Sequence, residues 1–186
     1  SAGWNWMSLN VYTDDMSLDS MLSSLNDNAE YIKNQAGYSD YYGDEFGWFG
    51  TLETINNTSM FKLKMLSSDN IELSGIPVDV GATVFDLAVG WNWIGYSPQI
   101  SLDINAALVN IPFGYADYLK SQFGYSDFYE QVGWFGTLAS MDPFLGYQVN
   151  VVTATSFVYN EIDSDAMSMS AGGYDTEVPD HGIYHV

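Results

Sequence analysis

Gly3-Trp4-Asn5-Trp6 recurs in this chain as Gly90-Trp91-Asn92-Trp93. The agreement spreads outward from both copies. Lys33-Asn34-Gln35-Ala36-Gly37-Tyr38-Ser39-Asp40 returns as Lys120-Ser121-Gln122-Phe123-Gly124-Tyr125-Ser126-Asp127, at the same offset of 87 residues. Gly47-Trp48-Phe49-Gly50-Thr51-Leu52 returns as Gly133-Trp134-Phe135-Gly136-Thr137-Leu138 at an offset of 86. All six tryptophans fall inside these blocks. The chain is internally duplicated, and any fold must accommodate that period. It divides into repeat unit 1 (1–82), repeat unit 2 (83–159) and an extended C-terminal arm (160–186). Each unit is small enough to bury only a modest core alone, so the two are expected to share an interface.

Residues 4–11 read as a strand. Trp4 and Trp6 point one way and Met7, Leu9 and Val11 the other, so both faces are apolar and the strand is expected to be central, its tryptophans holding the core. Asp14 to Ser17 supply N-cap candidates. Leu18, Met21, Leu22 and Leu25 then follow at i, i+3, i+4 and i+7, the stripe of a short helix. Residues 31–35 form a second strand, 37–44 a tyrosine-rich loop and 48–52 a short third strand. Residues 60–65 alternate, with Phe61, Leu63 and Met65 on one face and Lys62 and Lys64 on the other. Residues 67–70 read as a hairpin turn into 71–73. Unit 2 repeats the plan. Ile104, Ala107, Leu108 and Ile111 mark its helix, and Gln148 and Asn150 stand where unit 1 has Lys62 and Lys64. The fold class is therefore α+β: two tandem pseudo-symmetric β-rich units, each of mainly antiparallel strands with one short helix, plus the extended arm.

Charge and composition narrow the function. Twenty-four acidic residues oppose four lysines, giving −20, and there is no arginine. Nucleic-acid binding lacks its positive footprint. A polyanion avoids anionic membrane surfaces, and no apolar run is long enough for a membrane span. The absence of cysteine removes disulfides, thiolate nucleophiles and thiolate metal sites. The chain starts inside its first motif, so any targeting peptide is expected to have been removed.

Catalytic constellations are not apparent. His181 and His185 lie in the arm, where Pro179 and Gly182 oppose a helical metal pair. A Ser-His-Asp triad would need a histidine on the scaffold, and there is none. The acidic positions that repeat are Glu30/Asp117 and Asp40/Asp127. The second pair follows Gly-Tyr-Ser and reads as turn capping. Asp14-Asp15 and Asp163-Ser164-Asp165 are oxygen clusters best read as surface capping. Asn56-Asn57-Thr58-Ser59 holds two overlapping glycosylation sequons. No catalytic, cofactor-binding or metal-binding residue is assigned. Candidate assembly contacts are the spaced apolar residues of the arm (Ile162, Met167, Met169, Tyr174, Val178, Ile183 and Tyr184), the loop tyrosines Tyr38, Tyr41 and Tyr125, and the unmatched Lys62 and Lys64. The loop tyrosines suit either a ligand face or a protein interface.

The ordered set Gly-Trp-Asn-Trp-(Met/Ile), short helix, Lys-x-Gln-x-Gly-Tyr-Ser-Asp and Gly-Trp-Phe-Gly-Thr-Leu, covering residues 3–152, resembles the module of the diatom pyrenoid shell proteins, which carry two such units and a C-terminal extension. It is also similar to tandem repeats in large bacterial secreted or surface proteins. The first resemblance implies a chloroplast-stroma location at the pyrenoid periphery and self-assembly into a protein sheet or shell around condensed Rubisco, in support of CO2 fixation. It implies no catalytic residues and no cofactor. The partner is then the chain itself, in a homo-oligomeric lattice formed by exchange of the arm, with the Rubisco condensate an indirect partner. The second resemblance implies a secreted or cell-surface location and an extracellular ligand- or carbohydrate-binding module. On the shell reading, heterologous contacts between similar edges build open sheets, and the charge makes assembly depend on salt or divalent cations.

Overall fold

Each tryptophan motif opens on a glycine with positive φ, +87° at Gly3 and +96° at Gly90, a backbone region that L side chains rarely adopt. The asparagine two residues on fixes the bend. Asn92 Nδ2 donates to the carbonyls of Ala88 and Gly90, and its Oδ1 accepts from Ala88 N. Asn5 Nδ2 donates likewise to the carbonyls of Ser1 and Gly3. A strand follows each bend. The computed structural model describes residues 1–160 together with Tyr184 and His185. Within them the chain is mostly antiparallel sheet with a few short helices.

The first five-stranded sheet contains β1 (Gly3–Met7), β2 (Ala29–Lys33), β3 (Tyr38–Tyr41), β4 (Trp48–Gly50) and β5 (Phe61–Met65), in the order β1-β5-β2-β3-β4. The second contains β6 (Gly90–Ile94), β7 (Ala116–Lys120), β8 (Tyr125–Tyr129), β9 (Gly133–Gly136) and β10 (Tyr147–Val151), in the order β6-β10-β7-β8-β9. Registers agree position by position. Trp6 lies opposite Lys62 and Trp93 opposite Gln148. Both sheets carry a bulge at the start of their third strand in sheet order, Ala29/Tyr31 and Ala116/Tyr118. The helices α1 (Leu18–Met21) and α2 (Ile104–Ala107) are single turns capped by Ser17 and Asp103. In both, the apolar stripe read from sequence is buried: Leu18, Met21, Leu22 and Leu25, then Ile104, Ala107, Leu108 and Ile111.

Three sequence readings need correction. The tryptophan strand is an edge strand of its sheet, not a central one, and its tryptophans face outward. Trp4 is 41% exposed and Trp91 44%. The expected tyrosine-rich loop begins with strand β3, which places Asp40 in mid-strand, and Asp127 lies likewise within β8. Residues 67–70 do not turn a hairpin back onto β5. Glu72–Leu73 instead pairs antiparallel with Tyr184–His185.

Two apolar cores result. One gathers residues between Met7 and Met65, the other between Phe85 and Tyr159. Burying each large aliphatic side chain contributes about 1.5–3 kcal/mol. The second core differs in chemistry. Tyr96, Tyr147 and Tyr159 are almost fully buried there, with Phe85 and Phe157 packed on Tyr159 at ring-centroid distances of 5.0 Å. Tyr96 stands where the first core has Leu9, and Tyr147 where it has Phe61. The three hydroxyls remain hydrogen-bonded: Tyr96 to Ile100 O, Tyr159 to Gly95 O, and Tyr147 as acceptor from Asp142 N. Burial pushes all three phenols well above the usual tyrosine range.

The halves interlock. Met60 N donates to Trp93 O, and Gly95 N to Thr58 O, so the chain just before β5 runs beside the tryptophan strand of the other half. Gly146 N donates to Trp6 O and Ser8 N to Phe144 O, so the chain before β10 does the same. Gly146 is required here, because a side chain at that position would run into Met60 and the Met7 carbonyl.

Candidate functional site

The outward faces of the two sheets carry matching rows of aromatic rings. On the first, Trp4 packs edge-on against Tyr31 at 5.9 Å, and Tyr31 stacks on Tyr38 at 5.8 Å. On the second, Trp91 meets Tyr118 at 5.7 Å and Tyr118 stacks on Tyr125 at 5.7 Å. Strand pleating dictates this, since alternate residues of paired strands share a face. The opposite face of the same strands carries Leu63, Ile32 and Ser39, all buried.

Lysines lie across these rings. Lys33 Nζ sits 5.2 Å from the Trp4 ring centroid and Lys120 Nζ 4.3 Å from that of Trp91. Lys62 sits between the halves, 4.1 Å from Trp6 and 4.4 Å from Trp93. Each such contact contributes about 0.5–2 kcal/mol, more as the ammonium loses water. Burial, then the charges of Lys33 and Lys120, lower the pKa of Lys62. Lys64 is different. It pairs with Glu30 at 2.8 Å, an interaction whose place in the second sheet is taken by a hydrogen bond from Asn150 Nδ2 to Asp117 Oδ1, also 2.8 Å. All four lysines of a chain of charge −20 therefore share this aromatic face; three rest on indole rings, and among the described residues none of those three has a carboxylate at ion-pair distance.

The repeated glutamines join the two faces. Gln122, in the turn between β7 and β8, accepts from Trp6 N and donates to Trp4 O, both at 2.7 Å. Gln35, in the turn between β2 and β3, accepts from Trp93 N and donates to Trp91 O, both at 2.8 Å. Each amide replaces one rung of a β-ladder on the open edge of the other half's tryptophan strand. The sequence signal for this role is the repetition of Gln within Lys-x-Gln, which composition and periodicity do not single out.

The candidate contacts divide. Tyr38, Tyr125 and Lys62 belong to the outward face. Tyr41 packs on Trp48 at 5.2 Å on the other side of the sheet and donates to Asp44 Oδ1, which pushes its pKa up to about 12. Tyr184 lies in the short strand paired with Glu72–Leu73. Ile162, Met167, Met169, Tyr174, Val178 and Ile183 lie outside the described residues, as do Asp163, Asp165 and His181. Of the two sequons, that of Asn57 is closed, since its buried amide donates to the carbonyls of Leu9 and Val11. Asp15 accepts from Ser17 N, which lowers its pKa, and so acts as a cap at the start of α1.

The far ends of the two sheets match as well. Strands β4 and β9 terminate them, and on the outward face Phe49 is 76% exposed and Phe135 66%. Tyr42 and Phe46 lie exposed beside the first edge, Tyr129 and Val132 beside the second.

Comparison with protein-family models, with curated proteins and with solved structures returns no match. No described helix is long and apolar enough to cross a membrane.

Proposed function

We propose that this chain is a non-enzymatic structural protein that self-assembles into a sheet or shell, in the manner of the layer that encases the Rubisco-containing pyrenoid in the chloroplast and supports CO2 fixation. The observation that carries the reading is the matched pair of exposed phenylalanines on the terminal strands of the two sheets. Phe49 within β4 and Phe135 within β9 give one molecule two similar adhesive ends. The edge groups of Trp48 and Trp134 are capped by Asp19 and Asn105, so the exposed rings themselves favour protein contact over solvent. A building block with two such ends, in two pseudo-symmetric halves, propagates by head-to-tail contacts into open arrays. Its charge of −20 opposes close packing until salt or divalent cations screen it. The arm, residues 160–186, then links neighbours by exchange.

Negative-stain microscopy of the purified chain across ionic strength and Mg2+ concentration tests this. Sheets or tubes at raised salt, abolished in a Phe49→Glu/Phe135→Glu variant, are the expected result. Monodisperse monomers in every condition overturn it.

The exposed Trp4 and Trp91 favour a second reading, an extracellular carbohydrate-binding module, because flat indoles stack on sugar rings. Titration of indole fluorescence with a panel of oligosaccharides separates the two. Saturable quenching lost in Trp4→Ala and Trp91→Ala variants supports the sugar reading.

A further inference from the structure

We infer that the lysine-bearing tryptophan face, built by Trp6, Lys62 and Trp93 at its centre and Lys33 and Lys120 on its flanks, is the surface that receives the acidic exterior of a second copy of this chain. The inference rests on the self-assembly reading and adds to it which face carries the electrostatic contact.

The argument begins with charge. Twenty-four carboxylates against four lysines leave the chain with a net charge of −20. Copies that approach through two acidic surfaces repel, and salt only screens that repulsion. Attraction requires positive charge, and the chain gathers its lysines around the centre of this face, while Asp40 and Asp127 lie farther out on the same face, opposite Tyr31 and Tyr118. Lys33 lies directly across the ladder from Lys62. Lys120 lies on the second sheet opposite Gln148, itself opposite Trp93, whose ring Lys62 touches. Lys64, the remaining cation, is already paired with Glu30.

The geometry of the ammonium groups suits reception of a partner. Three ammoniums rest on indole rings, which hold each one in place through the ring quadrupole without neutralising it. Such a contact keeps its formal charge and its hydrogen-bond donors for an incoming carboxylate, and little side-chain entropy remains to be lost on docking. The surroundings are tryptophan and tyrosine, the residue types enriched at protein interfaces. The face spans two open sheets, which suits a broad protein surface.

The ladder does not require the charge at position 62. In the second sheet the position of Lys62 is Gln148, with the same register to its tryptophan partner. Glutamine at position 62 is therefore compatible with the ladder, and Lys62→Gln is a usable probe.

The test compares wild-type chain, the triple variant Lys33→Gln/Lys62→Gln/Lys120→Gln and the control Lys64→Asn by light scattering and microscopy. Thermal unfolding of each shows that it is folded. The triple variant is expected to need at least about tenfold more protein to assemble at moderate ionic strength, while Lys64→Asn assembles as wild type. Quenching of wild-type indole fluorescence by acrylamide is expected to fall on assembly as the face becomes covered. Assembly of the folded triple variant at the wild-type concentration, or unchanged quenching on assembly, overturns the inference and leaves the self-assembly reading standing. Failure of the wild type to assemble in any condition overturns both.

Discussion

The two sheets are alike in backbone and unlike in charge. Strand β5 carries Lys62 and Lys64 where β10 carries Gln148 and Asn150, in the same register with the neighbouring strands. At the outer of the two positions the substitution is compensated locally, since Lys64–Glu30 in one sheet is Asn150–Asp117 in the other. At the inner position it is not. Gln148 is buried within its own sheet, whereas Lys62 leans out over a tryptophan of each half. The difference teaches that the ladder itself is indifferent to lysine here. Charge at position 62 answers to the two indole rings it bridges and not to the ladder.

A second asymmetry is steric, and breaking it should have the largest effect. Met60 is fully buried, while Gly146 holds the equivalent position in the second half and has no room for a side chain. Gly146→Met, which would make the halves more alike in sequence, is expected to overpack the junction and cost about 3 kcal/mol, measured by urea unfolding. A loss near zero would mean that the junction is looser than its contacts indicate.

The glutamine clamps should be equal. Gln35→Ala and Gln122→Ala each remove two hydrogen bonds that cross between the halves. Each variant is expected to lose about 1–2 kcal/mol, by matching amounts, because water can reach these edges and replace part of each bond. A marked inequality would show that the two crossings bear different loads.

The smallest expected effect concerns the tyrosine core that only the second half possesses. An unfolded tyrosine ionises near pH 10, whereas Tyr96, Tyr147 and Tyr159 keep their protons to higher pH when buried. Above pH 10 the folded state therefore binds more protons than the unfolded one, and stability falls as pH rises. Tyr147→Phe, which copies Phe61 of the first core, should make that fall shallower by about one proton in a plot of unfolding free energy against pH. An unchanged slope would mean that Tyr147 ionises in the folded state as it does in the unfolded one.

How much of this was legible in sequence follows from which interactions are local. The alternation of Phe61, Leu63 and Met65 with Lys62 and Lys64 places every one of those side chains on its observed face, because strand period two is a property of the backbone alone. The Leu18–Leu25 stripe marks the buried side of its short helical stretch for the same reason. In sequence the tryptophan strand looks central, because both of its faces are apolar. What covers its open edge is the amide of Gln122, distant by 116 residues, and what shields its outer face is lysine and tyrosine from neighbouring strands. Neither relation has a local signature. The pairing of Glu72–Leu73 with Tyr184–His185 was unreadable for a related reason, since two-residue strands carry no period.

The crossing of the halves also orders events in time. Translation delivers Trp6 well before its partners, since its N–H finds Gln122 and its C=O finds Gly146, both in the last third or so of the described chain. Until those residues leave the ribosome, the first sheet carries an open edge beside two tryptophans, the kind of template on which nascent chains stick to one another. A nascent first half is thus a hazard that only its own second half removes, and slow synthesis through residues 66–146 would prolong the exposure.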